Sequence, residues 1–556
     1  MPNEELPIDS GSAFEPAEEE ARLPLGLKGS TVTKAGSIMM ASLLLSRVLG
    51  VVRDSVMAGQ FGTGLDSDAY KLAVSIPDTL FMLIAGGGLS SAFIPIFSEL
   101  YYTGKNKEAW KAFSVIVTLC SLVVTALIGI AWMIAPVIAS FMAEGKTYHT
   151  ASGALVPVTP EYLAQVVRMG RIMLPAQFAF LVGSVLLGTL YARKQFAAPG
   201  LAPNVYNVAI IIGAFLGGSS GLGIAGMPWG ALIGAMIGNL LLPICFMIPQ
   251  GGSFRPSLDY KAEGVKKFGQ LLLPVIVGFS LPSWATLITL KFASKYSEGT
   301  NVVLSFANNL MMAPPGIFGQ ALALAAFPVL TQFFAEKRMD AYREQVTKTL
   351  RTVIYLTIPA STLMWALAPQ IVSLIYGHGK ANESGNLPAI SSALRIYCLG
   401  ITAWSVQPVL MRGFFSMHKT VKPVVLGSGV TILFWLMCVA ARAWSSSPNT
   451  LVWASNAAAI LLVVLLYVAL QMDVGKLDLS GILVTSGKSL AGAVIAGTIA
   501  YSAFLAIPAS LPTVVLFLLL AIVFSSSGWA YFAVTKWLGM PESDYLARSI
   551  AKRRNA

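Results

Sequence analysis

The chain has 556 residues, of which 55% are hydrophobic and only 12% are charged, and its mean hydropathy is +0.71. Soluble proteins carry about 25% charged residues, and so sparse a polar surface could not cover so large an apolar core, which excludes a large soluble helical protein. The net charge of +12 is spread over loops between apolar runs, where it orients a membrane protein and contacts anionic lipid, so it predicts no nucleic-acid partner. We therefore expect an all-α polytopic membrane protein in the lipid bilayer.

The first segment, residues 1–30, is acidic and has no apolar run. It contains seven acidic and two basic residues, a balance typical of disordered chain, and it lacks the apolar core of a signal peptide. We predict a disordered cytoplasmic tail at 1–30. At the other end, residues 541–556 include four bases at positions 548, 552, 553 and 554 and predict a basic cytoplasmic tail.

Fourteen apolar runs lie between these tails, each long enough for the roughly 20 residues with which a helix crosses a bilayer. Several contain proline, which removes a backbone hydrogen bond and predicts a kinked or broken helix. The predicted spans lie near residues 34–60, 68–100, 110–142, 161–192, 198–218, 225–249, 264–293, 301–334, 346–377, 388–416, 422–444, 449–470, 481–507 and 512–537.

The first predicted span carries three charged residues inside its apolar run, Arg47, Arg53 and Asp54. A charge in a membrane helix costs about 2.5–3.5 kcal/mol on insertion scales, so these side chains must face a protein interior or a watery cavity, and a cationic cavity indicates an anionic passenger. Arg53 lies about 240° around a helix from Arg47, so a straight helix does not aim both at one point. Either the helix is distorted or one arginine is structural, as in an ion pair of Arg53 with Asp54.

Two pairs of segments indicate an internal duplication. Pro95 near the end of the second span matches Pro328 near the end of the eighth, an offset of 233 residues, and Pro199 after the fourth span matches Pro423 after the tenth, an offset of 224. Both matches relate span n to span n+6, which preserves orientation. The predicted fold is two six-helix lobes in a parallel repeat around a central cavity, with two extra C-terminal helices.

The repeat and the charge pattern divide and orient the chain. Basic residues concentrate in alternate loops, which the positive-inside rule places in the cytoplasm, and fourteen spans then put both termini there. The predicted units are an N-lobe at 31–255, a C-lobe at 256–475, and spans thirteen and fourteen at 476–540.

The sequence offers little catalytic or metal-binding chemistry. Its four cysteines lie in apolar spans without a CxxC pair, and its three histidines have no metal-ligand spacing. The run from Gly481 to Ser489 has five residues between its glycines where a phosphate-binding loop needs four, and it opens an apolar span. We predict no cofactor, no metal and no enzymatic activity.

The segment Ser46-Arg47-Val48-Leu49-Gly50-x-x-Arg53-Asp54 resembles a motif of the MurJ/MviN family. These proteins are lipid II flippases of peptidoglycan synthesis, within the multidrug/oligosaccharidyl-lipid/polysaccharide exporter superfamily. The resemblance covers roughly residues 34–540 and extends to the segments Phe61-Gly62, Ser67-Asp68-Ala69-Tyr70, Ile76-Pro77-Asp78, Ala92-Phe93-Ile94-Pro95 and Pro314-Pro315-Gly316.

The resemblance implies a flippase of the bacterial cytoplasmic (inner) membrane. Its partner would be lipid II, or a related polyprenyl-pyrophosphate glycan, moved from the inner to the outer leaflet by alternating access, with the cell-wall synthesis machinery as a possible further partner. The last two helices would hold the polyprenyl tail, and arginine forks suit the pyrophosphate. The resemblance carries substrate binding onto Arg47, Arg53, Asp54 and Asp68. For Asp68, at the start of a span, ordinary helix capping is the alternative.

The chain departs from the family pattern in the second and eighth spans. Thr79–Met82 stands where the family usually has further bases, and Asn308-Asn309 stands where it commonly has an Asp-Arg pair. We therefore expect a less charged cavity in which Asn308 and Asn309 belong to the substrate site. Lys291 in span seven is a candidate that compensates for the lost bases, its alternative being extension to the outer surface. Arg171 and Arg395, near the outer ends of spans four and ten, are other candidates.

Three other functions stay open at this level. One is a flippase for another polyprenyl-linked glycan of the O-antigen type. Another is a multidrug/cation antiporter of the same superfamily, although antiporters usually have twelve spans and intramembrane acids. The last is a non-transporting scaffold of the cell-wall machinery, which should tolerate loss of Arg47 and Arg53.

Overall fold

The computed structural model describes residues 29–84, 88–149, 155–193, 195–506 and 511–544. The predicted acidic tail lies outside these ranges except for its last two positions, and the predicted basic tail lies outside them from residue 545 onward. The described chain is almost entirely helical. Its one two-stranded antiparallel sheet pairs Thr147–His149 (β1) with Leu155–Pro157 (β2), between the third and fourth predicted spans.

The α-helices follow the predicted spans in chain order, because apolar runs that must satisfy every backbone hydrogen bond internally fold as helices. They are Gly29–Phe61 (α1), Leu65–Ile84 (α2), Gly88–Tyr102 (α3), Asn106–Ala143 (α4), Pro160–Met173 (α5), Ala176–Ala192 (α6), Ala197–Ser219 (α7), Gly226–Ala235 (α8), Leu242–Met247 (α9), Val265–Ala293 (α10), Thr300–Met311 (α11), Gln320–Ala335 (α12), Met339–Ala366 (α13), Ala368–Tyr376 (α14), Lys380–Glu383 (α15), Leu387–Cys398 (α16), Ile401–Ser416 (α17), Val421–Trp444 (α18), Asn449–Val474 (α19), Leu479–Ala506 (α20) and Thr513–Trp537 (α21).

The predicted class, an all-α polytopic membrane protein, is confirmed. Within the described ranges, nine helices are long and apolar enough to cross a membrane, or eleven if two bent helix pairs each count as one span. Each of the fourteen predicted spans coincides with one helix or with consecutive helical segments. The helices are therefore consistent with the predicted count of fourteen, which stays a prediction.

Prolines interrupt some helices and leave others continuous. Pro175 separates α5 from α6, and a π-helical turn at Pro315–Gly319 leads into α12. Pro77, Pro95 and Pro328, in contrast, lie inside uninterrupted helices. The sharpest bends join α13 to α14, at 75°, and α16 to α17, at 47°.

The helices pack as two lobes that meet along α1, α2 and α10. Within the first lobe α7 packs on α1 and α8, and α2 packs on α5; within the second, α17 packs on α12, α13 and α19. Across the two lobes, α1 contacts α14 and α15, α2 contacts α11, and α10 contacts α2, α3 and α4. The last two helices pack on each other, and α20 lies against α13.

The duplication extends to a contact between an arginine and a tryptophan in each lobe. Arg171 Nε donates to the Trp132 carbonyl at 3.1 Å, and its guanidinium lies 3.9 Å from the indole centre. Arg395 Nε donates to the Trp365 carbonyl at 3.3 Å, with 5.4 Å between guanidinium and ring. The offsets are 365 − 132 = 233 and 395 − 171 = 224, the same values that the proline segments give.

A proline explains why these two carbonyls need an arginine. Pro136 and Pro369 each stand four residues after the tryptophan, where a helix would supply an N–H to the tryptophan carbonyl, and proline has none. In lipid an unpaired carbonyl is costly, so the arginine supplies the missing donor. With this arginine contact, α4 stays continuous through Pro136, whereas the corresponding contact in the second lobe lies at the 75° bend before Pro369.

Candidate functional site

Arg47 reaches from α1 into the second lobe. Its Nη2 donates to Gln320 Oε1 at 2.8 Å and its Nη1 donates to the Met312 carbonyl at 3.4 Å. These acceptors lie on either side of the π-helical turn before α12. Arg47 is therefore a link between the two lobes, part-buried at their interface.

Gly316, inside the π-helical turn, makes this approach possible. A Cβ atom at Gly316 would lie 2.3 Å from Arg47 Cζ, far inside van der Waals contact. The guanidinium thus lies directly against backbone, at a position where any side chain would displace it.

We expect Gly316→Ala to displace the Arg47 guanidinium from Met312 and Gln320 and to lower the free energy of unfolding by about 1 kcal/mol, the net contribution of a typical hydrogen bond. Gly429→Ala is the matched control, since a Cβ atom there would meet nothing within 4 Å. The measurement is denaturant titration in mixed micelles. Equal stability of the two variants would show that the close approach of Arg47 to Gly316 is unimportant.

Arg53, Asp54 and Lys71, here called the cation cluster, lie together in the interior. Arg53 donates to Asp54 Oδ1 from Nη2 at 3.0 Å and from Nε at 3.2 Å, and Lys71 Nζ lies 3.5 Å from the same oxygen. The Asp54 side chain is 1% exposed, against 23% for Arg53 and 11% for Lys71. One buried carboxylate therefore neutralises one of two cations and leaves the cluster with a net charge of +1.

Two amide side chains complete the cluster. Asn207 on α7 accepts from Arg53 Nη1 at 3.2 Å and donates to the Pro203 carbonyl at 3.0 Å, which fixes its orientation. Asn309 on α11 donates to Asp54 Oδ2. Asn308, the preceding residue, is half-buried, and its side chain has no hydrogen bond within the described ranges. The cluster is thus held by helices of both lobes.

Aromatic rings surround the cluster and lower its access to water. Lys71 Nζ lies 5.3 Å from the centre of the Phe306 ring, which stacks on Tyr376 at 4.3 Å. Asp78, two turns beyond Lys71, interacts electrostatically with Tyr70, as does Arg53. The rings thus enclose a cluster whose net charge of +1 suits an anion.

Asp68 lies apart from the cation cluster and caps a helix of the other lobe. Its carboxylate accepts from the Gly299 N–H at 2.8 Å and the Val302 N–H at 3.1 Å, at the start of α11. Lys146 Nζ lies 2.5 Å from Asp68 Oδ2, and both side chains are fully buried. Seven residues of α11, about 10 Å, separate this cap from Asn309. Asp68 therefore caps α11 of the other lobe and not the start of its own helix, and a substrate-binding role for Asp68 stays a prediction.

Lys291, near the end of α10, lies beside the C-terminal end of α4. Its ammonium pairs with Glu144 Oε2 at 2.7 Å and lies 3.9 Å from the Phe141 ring centre. The hydrogen bond and charge of Lys291 hold the pKa of the exposed Glu144 carboxyl below its usual range. This placement agrees with the outward-extending alternative, and a substrate-binding role for Lys291 stays a prediction.

Hydrogen bonds between the lobes continue along the end of α1. Ser55 Oγ donates to the Ile375 carbonyl at 2.5 Å, and the Thr63 N–H donates to Ser384 Oγ at 3.2 Å. Asn386 Nδ2 donates to Thr63 Oγ1 at 2.9 Å. Together with the Asp68 cap they close this end of the lobe interface. Two described cavities, of about 530 and 470 Å³, lie elsewhere, and neither is lined by Arg47 or the cation cluster.

The structure brings three of the predicted site residues together, Arg53, Asp54 and Asn309, and places Arg47, Asp68 and Lys291 at three other positions. A substrate-binding role for each of them stays a prediction. The sequence reasoning missed Lys71 and Asn207. Lys71 had a usable signal, since it is a lone base inside the second predicted span, although it lies before Pro77 and the family usually has its second-span bases after that proline.

Two lobes of membrane helices with a positively charged cluster between them define a two-lobed membrane transporter. The sequence profile of the family described as "Lipid II flippase MurJ" matches residues 57–524. The chain therefore belongs to the MurJ family.

Relatives and solved structures agree with this assignment. The chain is 29% identical to the "Probable lipid II flippase MurJ" of Vibrio cholerae over 482 residues, 84% of this chain and 88% of the relative. It is 26% identical to the "Lipid II flippase MurJ" of Burkholderia cenocepacia over 70% of this chain and 74% of the relative. Its fold is similar to "Lipid II flippase MurJ, inward closed conformation", with a TM-score of 0.71, 20% identity and coverage of 89% and 98%. An inward-facing transporter of the multidrug resistance MATE family gives a TM-score of 0.63 at 13% identity, with coverage of 81% of this chain and 99% of that one.

Proposed function

We propose that this protein moves lipid II, or a lipid of the same polyprenyl-pyrophosphate class, from the inner to the outer leaflet of the bacterial cytoplasmic membrane. The observation that carries the proposal is the cation cluster, two cations around one carboxylate, held between two lobes of a MurJ-family fold. A buried positive site suits a pyrophosphate, because charge-assisted hydrogen bonds to guanidinium groups are strong in a low-dielectric interior.

Arg47 and Arg53 have different tasks in this proposal. Arg53 is held on one side by Asp54 and Asn207, so its remaining donor capacity faces a fixed direction. Among the described residues, Arg47 bonds to a carbonyl and a neutral amide, which an anion could replace at little electrostatic cost. We infer that the incoming pyrophosphate takes over the Arg47 hydrogen bonds and thereby loosens the contact between the lobes.

The contacts of α1 and α2 with α11, α14 and α15 join the two lobes at one end of the bundle. Opening and closing of this end is one of the two steps of an alternating-access cycle. By the charge distribution of the loops, this end of the bundle is the periplasmic one, and both termini are cytoplasmic. The Asp68 cap and the Thr63 hydrogen bonds then hold the outer side closed. We place the boundaries of the two lobes at 31–255 and 256–475, with α20 and α21 as the helices that hold the lipid tail.

The test is growth of a bacterium depleted of its own lipid II flippase and supplied with this chain. We expect wild type to restore growth and to make lipid II accessible to a membrane-impermeant degrading enzyme. Arg47→Ala should lower that accessibility at least tenfold, because a charge-assisted hydrogen bond contributes about 1.5–3 kcal/mol.

Arg255→Ala is the control, since Arg255 is exposed in the connection between the lobes. Normal rescue by Arg47→Ala would exclude the proposed role of this arginine. A well-expressed wild type that restores neither growth nor accessibility would exclude lipid II as the substrate.

A further inference from the structure

A positively charged cavity lies on the outside of the first lobe, away from the cation cluster. It has a volume of about 530 Å³ and lies between α4, α5 and α8. Trp132 and Trp229 line it and are 49% and 45% exposed. Met133 and Val137, beside Trp132 on α4, are 74% and 69% exposed, so this surface faces lipid.

Two arginines and no carboxylate line this cavity. Arg168 and Arg171 are three residues apart on α5 and therefore lie on one face of the helix. The Nε group of Arg171 donates to the Trp132 carbonyl. Its Nη groups and the whole Arg168 guanidinium have no acceptor in the part of the chain that the structure describes. Charged groups beside lipid need a counter-charge, which here must come from outside the protein.

Comparison with the second lobe shows which of the two arginines has a structural role. At the offset of 224, Arg171 corresponds to Arg395, which makes the same contact with a tryptophan carbonyl. Arg168 corresponds to Ser392, which accepts a hydrogen bond from Asn449 at 2.9 Å. The contact in which an arginine donates to the tryptophan carbonyl before a proline, here called the proline-compensating contact, therefore needs only one arginine. Arg168 is an additional arginine that this contact does not explain.

We propose that this cavity binds the phosphate group of an anionic phospholipid from the surrounding leaflet. Two neighbouring guanidinium groups provide forked donors for phosphate oxygens. Trp229 is half-exposed near the start of α8, and tryptophans at helix ends are typical of the depth at which lipid headgroups meet the hydrocarbon. Basic pockets between membrane helices bind lipid headgroups elsewhere. The absence of a lining carboxylate favours a lipid with a net negative charge over a zwitterionic one.

The test is titration of phosphatidylglycerol into the delipidated full-length protein in neutral detergent, followed by native mass spectrometry. We expect Arg168→Gln to weaken the tightest phosphatidylglycerol binding about tenfold and Arg168→Lys to weaken it less. Arg395→Gln and Arg255→Gln should leave it unchanged, because neither belongs to the cavity. Phosphatidylcholine should bind the wild type more weakly than phosphatidylglycerol.

Three outcomes would overturn the proposal. One is unchanged phosphatidylglycerol affinity in Arg168→Gln with an unchanged thermal midpoint. Another is an equal loss in Arg255→Gln, which would indicate a general effect of charge. The third is displacement of the lipid by millimolar inorganic phosphate, which would assign the site to a soluble anion. If Arg168→Gln proves unstable, the phosphatidylglycerol affinity of Arg168→Lys is compared with that of the wild type, and an unchanged affinity overturns the proposal.

Discussion

Asp68→Asn is expected to lower the free energy of unfolding by about 3–5 kcal/mol, because it leaves the buried Lys146 ammonium without its counter-charge. The Lys146 and Asp68 side chains are fully buried and 2.5 Å apart. The same carboxylate accepts two N–H groups at the start of α11, so the substitution also weakens a contact between the lobes. Denaturant titration in mixed micelles measures the loss.

The Lys267–Glu99 pair provides the control for this prediction. Its distance is similar, 2.6 Å, but both side chains are more than half exposed. Glu99→Gln should therefore change the stability little, because solvent screens an exposed ion pair. The double variant Asp68→Asn/Lys146→Met should recover part of the lost stability, since no buried charge then remains unpaired. An Asp68→Asn variant as stable as Glu99→Gln would contradict the interpretation.

Asp54→Asn is expected to reduce lipid II export at least tenfold while the protein still reaches the membrane. Asp54 is the acceptor that orients Arg53 through two hydrogen bonds and the carboxylate that lies beside Lys71. Without its charge the two cations repel each other and the guanidinium loses its fixed direction. Enzymatic accessibility of lipid II at the outer leaflet measures the effect.

Asp473 supplies a control with the same charge pattern at another place. It is shared by Lys419 at 2.9 Å and Lys422 at 2.6 Å, near the end of α19 and outside the cation cluster. Asp473→Asn should retain most of the export, although it too removes one carboxylate from between two lysines. Equal losses in the two variants would mean that the effect reports folding rather than the substrate site.

The sequence predicted the helices well because the bilayer imposes a length and an apolar composition on each of them. All fourteen predicted ranges contain helix, including the pairs that bend. Proline predicted breaks less well: Pro77, Pro95 and Pro328 leave their helices intact, whereas the 75° bend lies next to Pro369. Pro136 and Pro369 have the same arginine as replacement donor and only Pro369 adjoins a bend, so whether a proline bends a helix also depends on the surrounding packing, which a single sequence does not reveal.

The site was predicted in part for a similar reason. The charges of the first span were evident, and the angle between Arg47 and Arg53 correctly indicated two directions, since α1 is one continuous helix whose arginines face different partners. What the sequence could not show were contacts across 250 residues or more, such as Asn309 with Asp54 and Arg47 with Gly316. These depend on how the lobes dock and not on local pattern.

The proline-compensating contacts also constrain the order in which this fold can change during evolution. As long as Pro136 is present, loss of Arg171 leaves the Trp132 carbonyl without a donor inside the membrane. If Pro136 is replaced first, the restored backbone N–H takes over, and Arg171 becomes free to vary. The same epistasis links Pro369 to Arg395. Divergence of the two halves therefore has a preferred mutational path in which the proline changes before the arginine.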